Sequence, residues 1–293
     1  MTELGFGFGV GHWTDGVAKT GCTVILPPLG NVTSCDVRGS SPGSRELESL
    51  HPDRRLTEVH AILLTGGSAF GLAAADGVMA WLAERDIGYR TKVATVPIVP
   101  AAVIFDLGSG DVRPGPAEGR AACESVSEDG ATGAIGAGVG ATVGKWAGLD
   151  LLAPGGLGMG RATSGTQTVS ALAVVNSVGD IVGDDGSVVA GTSNPSPEYL
   201  PPAPPDAQIA ANTVLAVVAT DATLDKRDVH WLAGRGSDGI TISVRPAHTR
   251  YDGDVVFAVA TGASEASGTD LDILGYLATQ AVASAVRNAV VRA

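Results

Sequence analysis

Cysteine is scarce in this 293-residue sequence, and none of the three cysteines forms a CxxC pair (Cys22, Cys35 and Cys123). So sparse and odd a set excludes a disulfide framework and is typical of a reducing compartment. The five histidines show no metal-ligand spacing with one another or with cysteine, so no zinc site is indicated. We therefore predict that the protein needs no metal and no cofactor.

Basic residues are also few: 19 Lys and Arg stand against 31 Asp and Glu, a formal net charge of −12. Nucleic-acid binding normally requires a basic face, so nucleic acid is excluded as a partner. No stretch reaches the ~18 uninterrupted apolar residues of a membrane span. The N-terminal MTELGFGFGV lacks the basic and apolar regions of a secretory signal. We expect a soluble, cytoplasmic protein with no membrane partner.

Aromatic residues make up only 4% of the chain, whereas glycine occurs 41 times. Apolar residues reach 44% and charged residues 17%, which is typical of a well-packed globular protein. Many glycines with few large rings predict close backbone packing and tight turns.

Short apolar runs rich in Val, Ile and Ala predict strands covered on both faces. They lie at 22–28, 59–65, 101–107, 169–180, 213–220 and 254–261. Helical patterns alternate with them at 68–85, 224–245 and 270–291, with Ser68 as an expected N-cap of the first. The order predicts an α/β fold with sheets sandwiched between helices.

The strongest break in composition is the proline-rich segment 194–206, which we predict to be an exposed loop. The chain after it is too short to cover both faces of a sheet. It must share a core with the preceding part, so we expect one domain over 1–293.

The glycine-rich run 133–145 resembles a phosphate-binding loop but fails both nucleotide motifs, because Val139 occupies a required glycine position and Trp146 follows Lys145. A glycine-rich strand or turn explains the run. Lys145 ends it, and an amine in so apolar a setting would have a lowered pKa. The alternative is that Lys145 extends to water.

Three further positions admit a structural and a chemical interpretation. Ser68 lacks the second glycine of a nucleophile elbow, so helix capping explains it better. Asp252 and Asp254 flank Gly253 just before a strand, which suits a turn but also directs both carboxylates to one face. Asn176 ends a strand, where a polar residue is ordinary.

Six segments of the chain, taken together, resemble one family in their order and in their residues. They are GHWTDGVAKTGCTVIL, LLTGGSAFGL, GVGATVGKWAG, ALAVVNSVGD, NTVLAVVATDA and YDGD. The chain is identified by this resemblance as a member of the self-processing aminopeptidase and amidase family. That family includes D-aminopeptidases, β-peptidyl aminopeptidases and nylon-oligomer hydrolases.

The resemblance implies a four-layer α/β/β/α sandwich like that of N-terminal-nucleophile hydrolases, with different connectivity. It also implies that the chain cuts itself between Asn212 and Thr213 into a large subunit, 1–212, and a small subunit, 213–293. Relatives assemble into tetramers of cut protomers, so a homotetramer is expected.

Two departures from the aminopeptidase branch point to the nylon-oligomer hydrolases. The aminopeptidases cut before Ser preceded by Gly, whereas this chain has Asn212 and Thr213. It also has Asp252 and Asp254 where the aminopeptidases have Ser and Glu. The implied substrates are small peptides or linear 6-aminohexanoate oligomers.

The resemblance also assigns roles to five residues. Thr213 is the nucleophile, and its freed α-amine acts as its base. Lys145 stabilises the deprotonated Thr213 oxygen, and Asn176 donates to the oxyanion. Asp252 and Asp254 orient Thr213 through hydrogen bonds.

Three alternatives remain at this point. The chain could be a D- or β-aminopeptidase of the same family. It could be an acyltransferase like the ornithine acetyltransferases, which also cut themselves before a Thr. It could also be an unprocessed, non-enzymatic protein that binds small molecules.

Overall fold

The computed structural model describes residues 3–128, 130–192, 212–264 and 270–290. Its first strands in chain order are β1 (Gly9–Asp15), β2 (Thr20–Leu26), β3 (Val32–Val37), β4 (Ser44–Arg45), β5 (Ile62–Thr65), β6 (Tyr89–Arg90), β7 (Thr95–Val96) and β8 (Ala101–Val103). They are followed by β9 (Thr142–Val143), β10 (Ala153–Pro154), β11 (Gly156–Ser164), β12 (Gln167–Asn176), β13 (Asp180–Val182), β14 (Val188–Ala190), β15 (Thr213–Thr220), β16 (Val244–Arg245) and β17 (Val255–Ala260). The predicted proline-rich loop, 194–206, lies outside the described residues.

The α-helices are α1 (Ala74–Ala83), α2 (Pro116–Glu124), α3 (Lys226–Ser243) and α4 (Leu271–Asn288). Short 3-10 helices cover Leu47–Leu50, Ser68–Ala73, Leu107–Ser109, Gly136–Gly138, Lys145–Ala147 and Leu149–Leu151. The predicted helices 224–245 and 270–291 correspond to α3 and α4. Asp270 caps α4 by accepting from the backbone N–H groups of Asp272 and Ile273.

Two large sheets form the body of the described structure. Their strand orders are β1-β2-β5-β8-β4 and β11-β12-β15-β17-β3. Neighbours are antiparallel except at β5/β8 and β15/β17, which are parallel. Each parallel pair needs a crossover, and the chain supplies α1 between β5 and β8 and α3 between β15 and β17. The two sheets therefore repeat one pattern of strand directions.

Three apolar cores separate four layers. The core between the sheets contains side chains from both, such as Ile25, Leu64, Leu172 and Phe257. The outer face of the first sheet packs on α1 and α2, and the outer face of the second packs on α3 and α4. The predicted α/β/β/α sandwich is confirmed.

Strand β15 shows why the sequence gives uninterrupted apolar runs. Successive side chains point to opposite faces of a sheet. In β15 one set faces the helices (Val214, Ala216 and Val218), and the other faces the first sheet (Leu215, Val217 and Ala219). Both faces are buried, so no polar alternation appears.

The predicted N-cap role of Ser68 is wrong. Residues Ser68–Ala73 form a 3-10 helix, α1 begins only at Ala74, and Ser68 makes no side-chain cap. Gly67 and Ser68 both have positive φ angles, 81° and 52°. An N-cap residue is extended, so this left-handed turn excludes capping. The predicted strand at 101–107 is also shorter, ending at Val103.

Candidate active site

The residues predicted to do chemistry meet at one edge of the second sheet. Thr213 is the first residue of β15, and antiparallel pairing places it opposite Asn176, the last residue of β12. β17 runs parallel to β15 on its other side, so Asp252 and Asp254, just before β17, lie at the same edge. The Lys145 amine reaches the Asn176 side chain.

The peptide bond between Asn212 and Thr213 is held from two sides. Thr213 Oγ1 donates to the carbonyl oxygen of Asn212 at 2.5 Å. The same carbonyl oxygen accepts from the Gly253 N–H at 2.8 Å. A Cβ atom on Gly253 would lie only 2.9 Å from Thr213 Oγ1, so glycine permits this close approach.

One residue further along, the Val214 N–H donates to Asp254 Oδ1 at 2.6 Å. Both Asn212 and Thr213 are buried. The loop 252–254 thus fixes the chain on both sides of the peptide bond, and the Thr213 hydroxyl lies beside the Asn212 carbonyl oxygen.

Lys145 is buried and has a perturbed pKa. Its Nζ donates to the Asn176 Oδ1 at 2.8 Å and to the Asn176 carbonyl oxygen at 3.1 Å. Burial lowers the pKa of Lys145 to about 7, although the charge of Asp252 opposes that shift. Of the two interpretations of Lys145 that the sequence left open, the structure shows the buried amine and not the one that extends to water. At pH 7 a large fraction of the molecules therefore carries a neutral Lys145 amine, which is able to accept a proton.

The Asn176 amide has a defined orientation. Its Oδ1 accepts from Lys145 Nζ and from the Thr142 N–H at 3.0 Å. Thr142 Oγ1 is a third donor to this oxygen, at 3.4 Å. These donors leave Nδ2 to point the other way, toward the Phe105 carbonyl oxygen at 3.4 Å. Phe105 lines the pocket described below. The Asn176 side chain is fully buried, and its amide nitrogen donates to the backbone of a residue that lines the cavity.

Asp252 is hydrogen-bonded mainly within its own turn, and no hydrogen bond among the described residues joins its side chain to Thr213. Its Oδ2 accepts from the Thr249 N–H at 2.8 Å and from Thr249 Oγ1 at 2.6 Å. Burial, and then the charge of Asp254, raise the pKa of Asp252 to about 6. We expected both carboxylates to orient Thr213 directly. Among the described hydrogen bonds, Asp254 contacts the chain one residue later, at Val214.

A cavity of about 240 Å³ opens onto Thr213. Loops that follow β5 and β8 of the first sheet form part of its wall. It is lined by Ser41, Pro42, Gly43, Ser68, Ala69, Val103, Phe105, Asn212 and Thr213. None of these lining residues carries a charged side chain. The position and lining of the cavity suit an uncharged ligand beside Thr213.

Three features of the site were not predicted from the sequence. The Gly253 N–H is a backbone group, although a glycine between two aspartates was a visible signal for it. His248 contacts Asp254, whereas the spacing of the histidines in the sequence bears only on metal binding. Phe105 was placed inside a strand, whereas it lies beyond β8 on the cavity wall.

Solved structures with this architecture define the class of protein. The L-aminopeptidase/D-Ala-esterase/amidase of Ochrobactrum anthropi, described as a variant of the Ntn hydrolase fold, covers 98% of this chain and is itself covered to 85%, with a TM-score of 0.72 and 19% identity. A Burkholderia β-aminopeptidase covers 97% and is covered to 84%, with a TM-score of 0.71 and 21% identity. The fold is therefore that of the N-terminal-nucleophile hydrolase variants.

Sequence relatives identify the family. An uncharacterised aminopeptidase of Mycobacterium leprae is 44% identical over 85% of this chain and 73% of its own length. A 6-aminohexanoate-oligomer endohydrolase of Agromyces is 31% identical over 95% of this chain and 79% of its own. The model of peptidase family S58 matches residues 6–293, and the chain belongs to that family. The protein is a hydrolase of amide or peptide bonds.

None of the helices in the described ranges is long and apolar enough to pass through a membrane.

Proposed function

We propose that the protein cuts its own Asn212–Thr213 bond and then hydrolyses amides with Thr213 as an N-terminal nucleophile. One observation supports this most strongly. The Thr213 hydroxyl lies 2.5 Å from the Asn212 carbonyl oxygen, and the Gly253 N–H already donates to that oxygen. A nucleophile and a donor for the developing oxyanion thus converge on one peptide bond.

Groups already at the site, together with water, can carry out the proposed self-cleavage step. Thr213 Oγ1 attacks the Asn212 carbonyl carbon, and its proton passes to Lys145, whose pKa near 7 makes it a base before any α-amine is free. The C–N bond breaks, and the proton goes to the Thr213 nitrogen. Water then hydrolyses the resulting ester to an Asn212 carboxylate and a free Thr213.

Amide hydrolysis repeats this chemistry on a substrate. The freed Thr213 α-amine, with a reference pKa of about 8, takes the hydroxyl proton as Oγ1 attacks the substrate carbonyl. Asn176 Nδ2 is the proposed donor to the oxyanion, since it reaches the carbonyl oxygen of Phe105, a residue of the cavity wall. Such a donor contributes about 3 kcal/mol to lowering the barrier. The amine product leaves, and water releases the acyl group from Thr213.

The substrates that we propose are small peptides or linear 6-aminohexanoate oligomers. Pro42, Val103 and Phe105 offer apolar walls, and the cavity lining has no charge. These walls suit a methylene chain on the acyl side of the amide. The 31% identity to the 6-aminohexanoate-oligomer endohydrolase also favours this substrate class.

Aminopeptidase activity is the second candidate, because the relative with 44% identity is called an aminopeptidase. An aminopeptidase must accommodate a free ammonium group next to the amide that it cuts. Matched substrates separate the two: hexanoyl p-nitroanilide has no amine, and leucyl p-nitroanilide has one beside the scissile bond. We expect the hexanoyl compound to be cleaved with the higher kcat/KM, and the opposite preference would favour the aminopeptidase.

Two substitutions test the nucleophile. Thr213→Ala should remain one band on a denaturing gel and should hydrolyse neither compound. Thr213→Ser keeps a hydroxyl, so this variant should still cut itself and hydrolyse the substrate. Splitting at the same position in Thr213→Ala would refute the assignment.

A further inference from the structure

His248 lies behind the aspartate pair and has partners on both ring nitrogens. Its Nδ1 lies 2.7 Å from Asp254 Oδ2, and its Nε2 lies 3.2 Å from the carbonyl oxygen of Ser237 on α3. The His248 side chain is 14% exposed and that of Asp254 only 3%.

The partners of the ring define its protonation state. A backbone carbonyl can only accept a hydrogen bond, so Nε2 must carry a proton. If Asp254 is a carboxylate, it also only accepts, and Nδ1 must carry a second proton. His248 is then an imidazolium. A neutral His248 would require the proton to sit on Asp254.

The charges around the ring favour the imidazolium. Asp254 faces Nδ1, and its hydrogen bond and charge raise the pKa of His248, outweighing the opposite effect of burial. Arg38 opposes the shift, but Asp36 and Asp238 pair with that guanidinium. Asp252 interacts electrostatically with Asp254 and with the Lys145 amine.

We propose that His248 is a positioning residue that, as an imidazolium, holds the Asp254 side chain in place through the hydrogen bond from Nδ1 to Oδ2. Asp254 then fixes the Val214 N–H beside the nucleophile. This role rests on the proposed function of Thr213, because it acts through the strand that carries the nucleophile.

The protonation state can be measured directly by long-range ¹H–¹⁵N NMR of histidine-labelled protein at pH 7.5. The spectrum distinguishes a doubly protonated ring from either neutral form, and the His248→Gln variant assigns the signal. We expect a doubly protonated His248 in the wild type and in Thr213→Ala alike. A neutral ring with an unprotonated Nδ1 would overturn the proposal. This result does not depend on whether Thr213 is the nucleophile.

The pH profile of hydrolysis provides a second test that a purely structural role would not change. The imidazolium is present below the pKa of His248 in the folded protein and is lost as the pH rises through it. Wild-type kcat should therefore fall on the alkaline side. His248→Gln, which has no ionisable ring, should lose that limb and retain a kcat about ten- to a hundredfold lower.

His230→Gln is the matched control. His230 is also partly buried and contacts the Cys35 carbonyl oxygen at 2.9 Å, away from Thr213. It should keep the wild-type profile. A uniform loss in His248→Gln that leaves the alkaline limb in place would contradict the proposal. Splitting of Thr213→Ala would instead refute the proposed function itself.

Discussion

At the scale of single residues, the account depends on a lysine that can lose its proton at neutral pH. Lys145 is buried against Asn176, and its pKa of about 7 follows from desolvation. In the uncut chain Thr213 has no free amine, so we propose Lys145 as the base of the self-cleavage step. After the proposed cut, the new α-amine of Thr213 would share that role.

Lys145→Arg tests this base. Arginine keeps a positive charge but stays protonated at every accessible pH. We expect self-cleavage to slow by about 10²- to 10⁴-fold, the usual contribution of general-base catalysis. The measurement is the appearance of fragments after synthesis in a cell-free system. Lys92→Arg, at an exposed position, is the control and should process normally.

The pH dependence of cleavage follows from the same pKa. Burial lowers it, so the neutral amine is present above about pH 7 and is lost as the pH falls through that value. The rate of self-cleavage should therefore rise between pH 6 and pH 8. A rate independent of pH over this range would contradict the role of Lys145.

Individual site residues were predictable only in part. The position of Lys145 at the end of an apolar run indicated burial, and the structure shows it. The pairing of Asp252 with Thr249 was not predictable, since it depends on the fold of a turn. The contact of His248 with Asp254 was equally hidden, because a sequence separation of six residues does not define the path of a turn.

At the scale of elements, β11 and α4 show what the many glycines are for. β11 directs Gly156, Gly158 and Gly160 at α4. A Cβ atom on Gly158 would lie 2.2 Å from the Ala285 carbonyl oxygen, and one on Gly160 would lie 2.2 Å from the Ala281 carbonyl oxygen. The helix backbone therefore packs directly on the strand, as the glycine-rich, aromatic-poor composition predicted.

Gly158→Ala tests this contact. The added methyl must displace backbone, so we expect the free energy of unfolding to fall by about 1 to 3 kcal/mol. Urea denaturation followed by circular dichroism measures the change. Gly16→Ala is the control, since nothing lies within 4 Å of its Cβ position. Equal stability of the two variants would show that α4 does not pack as described.

Strand β15 was predicted with its observed bounds, Thr213–Thr220, because both faces are buried and its apolar run is uninterrupted. The beginning of α1 was missed for a local reason. A serine before an apolar run is typical of an N-cap, but Ser68 follows two glycines that allow a left-handed turn. Tertiary contacts decide between these outcomes, and the sequence pattern does not contain them.

At the scale of the whole molecule, the proposed cut would fall within a shared sheet. β15 and β17 belong to the small subunit, 213–293, whereas β11, β12 and β3 belong to the large one. β15 pairs with β12, and β17 pairs with β3. Hydrogen-bonded strand pairs therefore join the two proposed subunits on both sides of the β15–β17 pair. Cleavage of one peptide bond leaves these ladders and the apolar cores intact.

We therefore expect the two fragments to remain together after cleavage. Size-exclusion chromatography of processed protein should give one peak that contains both, and only denaturant should separate them. Fragment 213–293 produced alone should not fold, because β15 and β17 would lack their neighbours. Fragments that separate in dilute buffer would contradict this arrangement.

The intact mass of the purified, active protein tests the central claim most directly. We predict two masses, one for each fragment, with the C-terminal fragment beginning at Thr213. Thr213→Ala should instead give one unbroken chain close to 29.3 kDa. A wild-type sample that hydrolyses amides at full rate while every molecule keeps the Asn212–Thr213 bond would contradict the account.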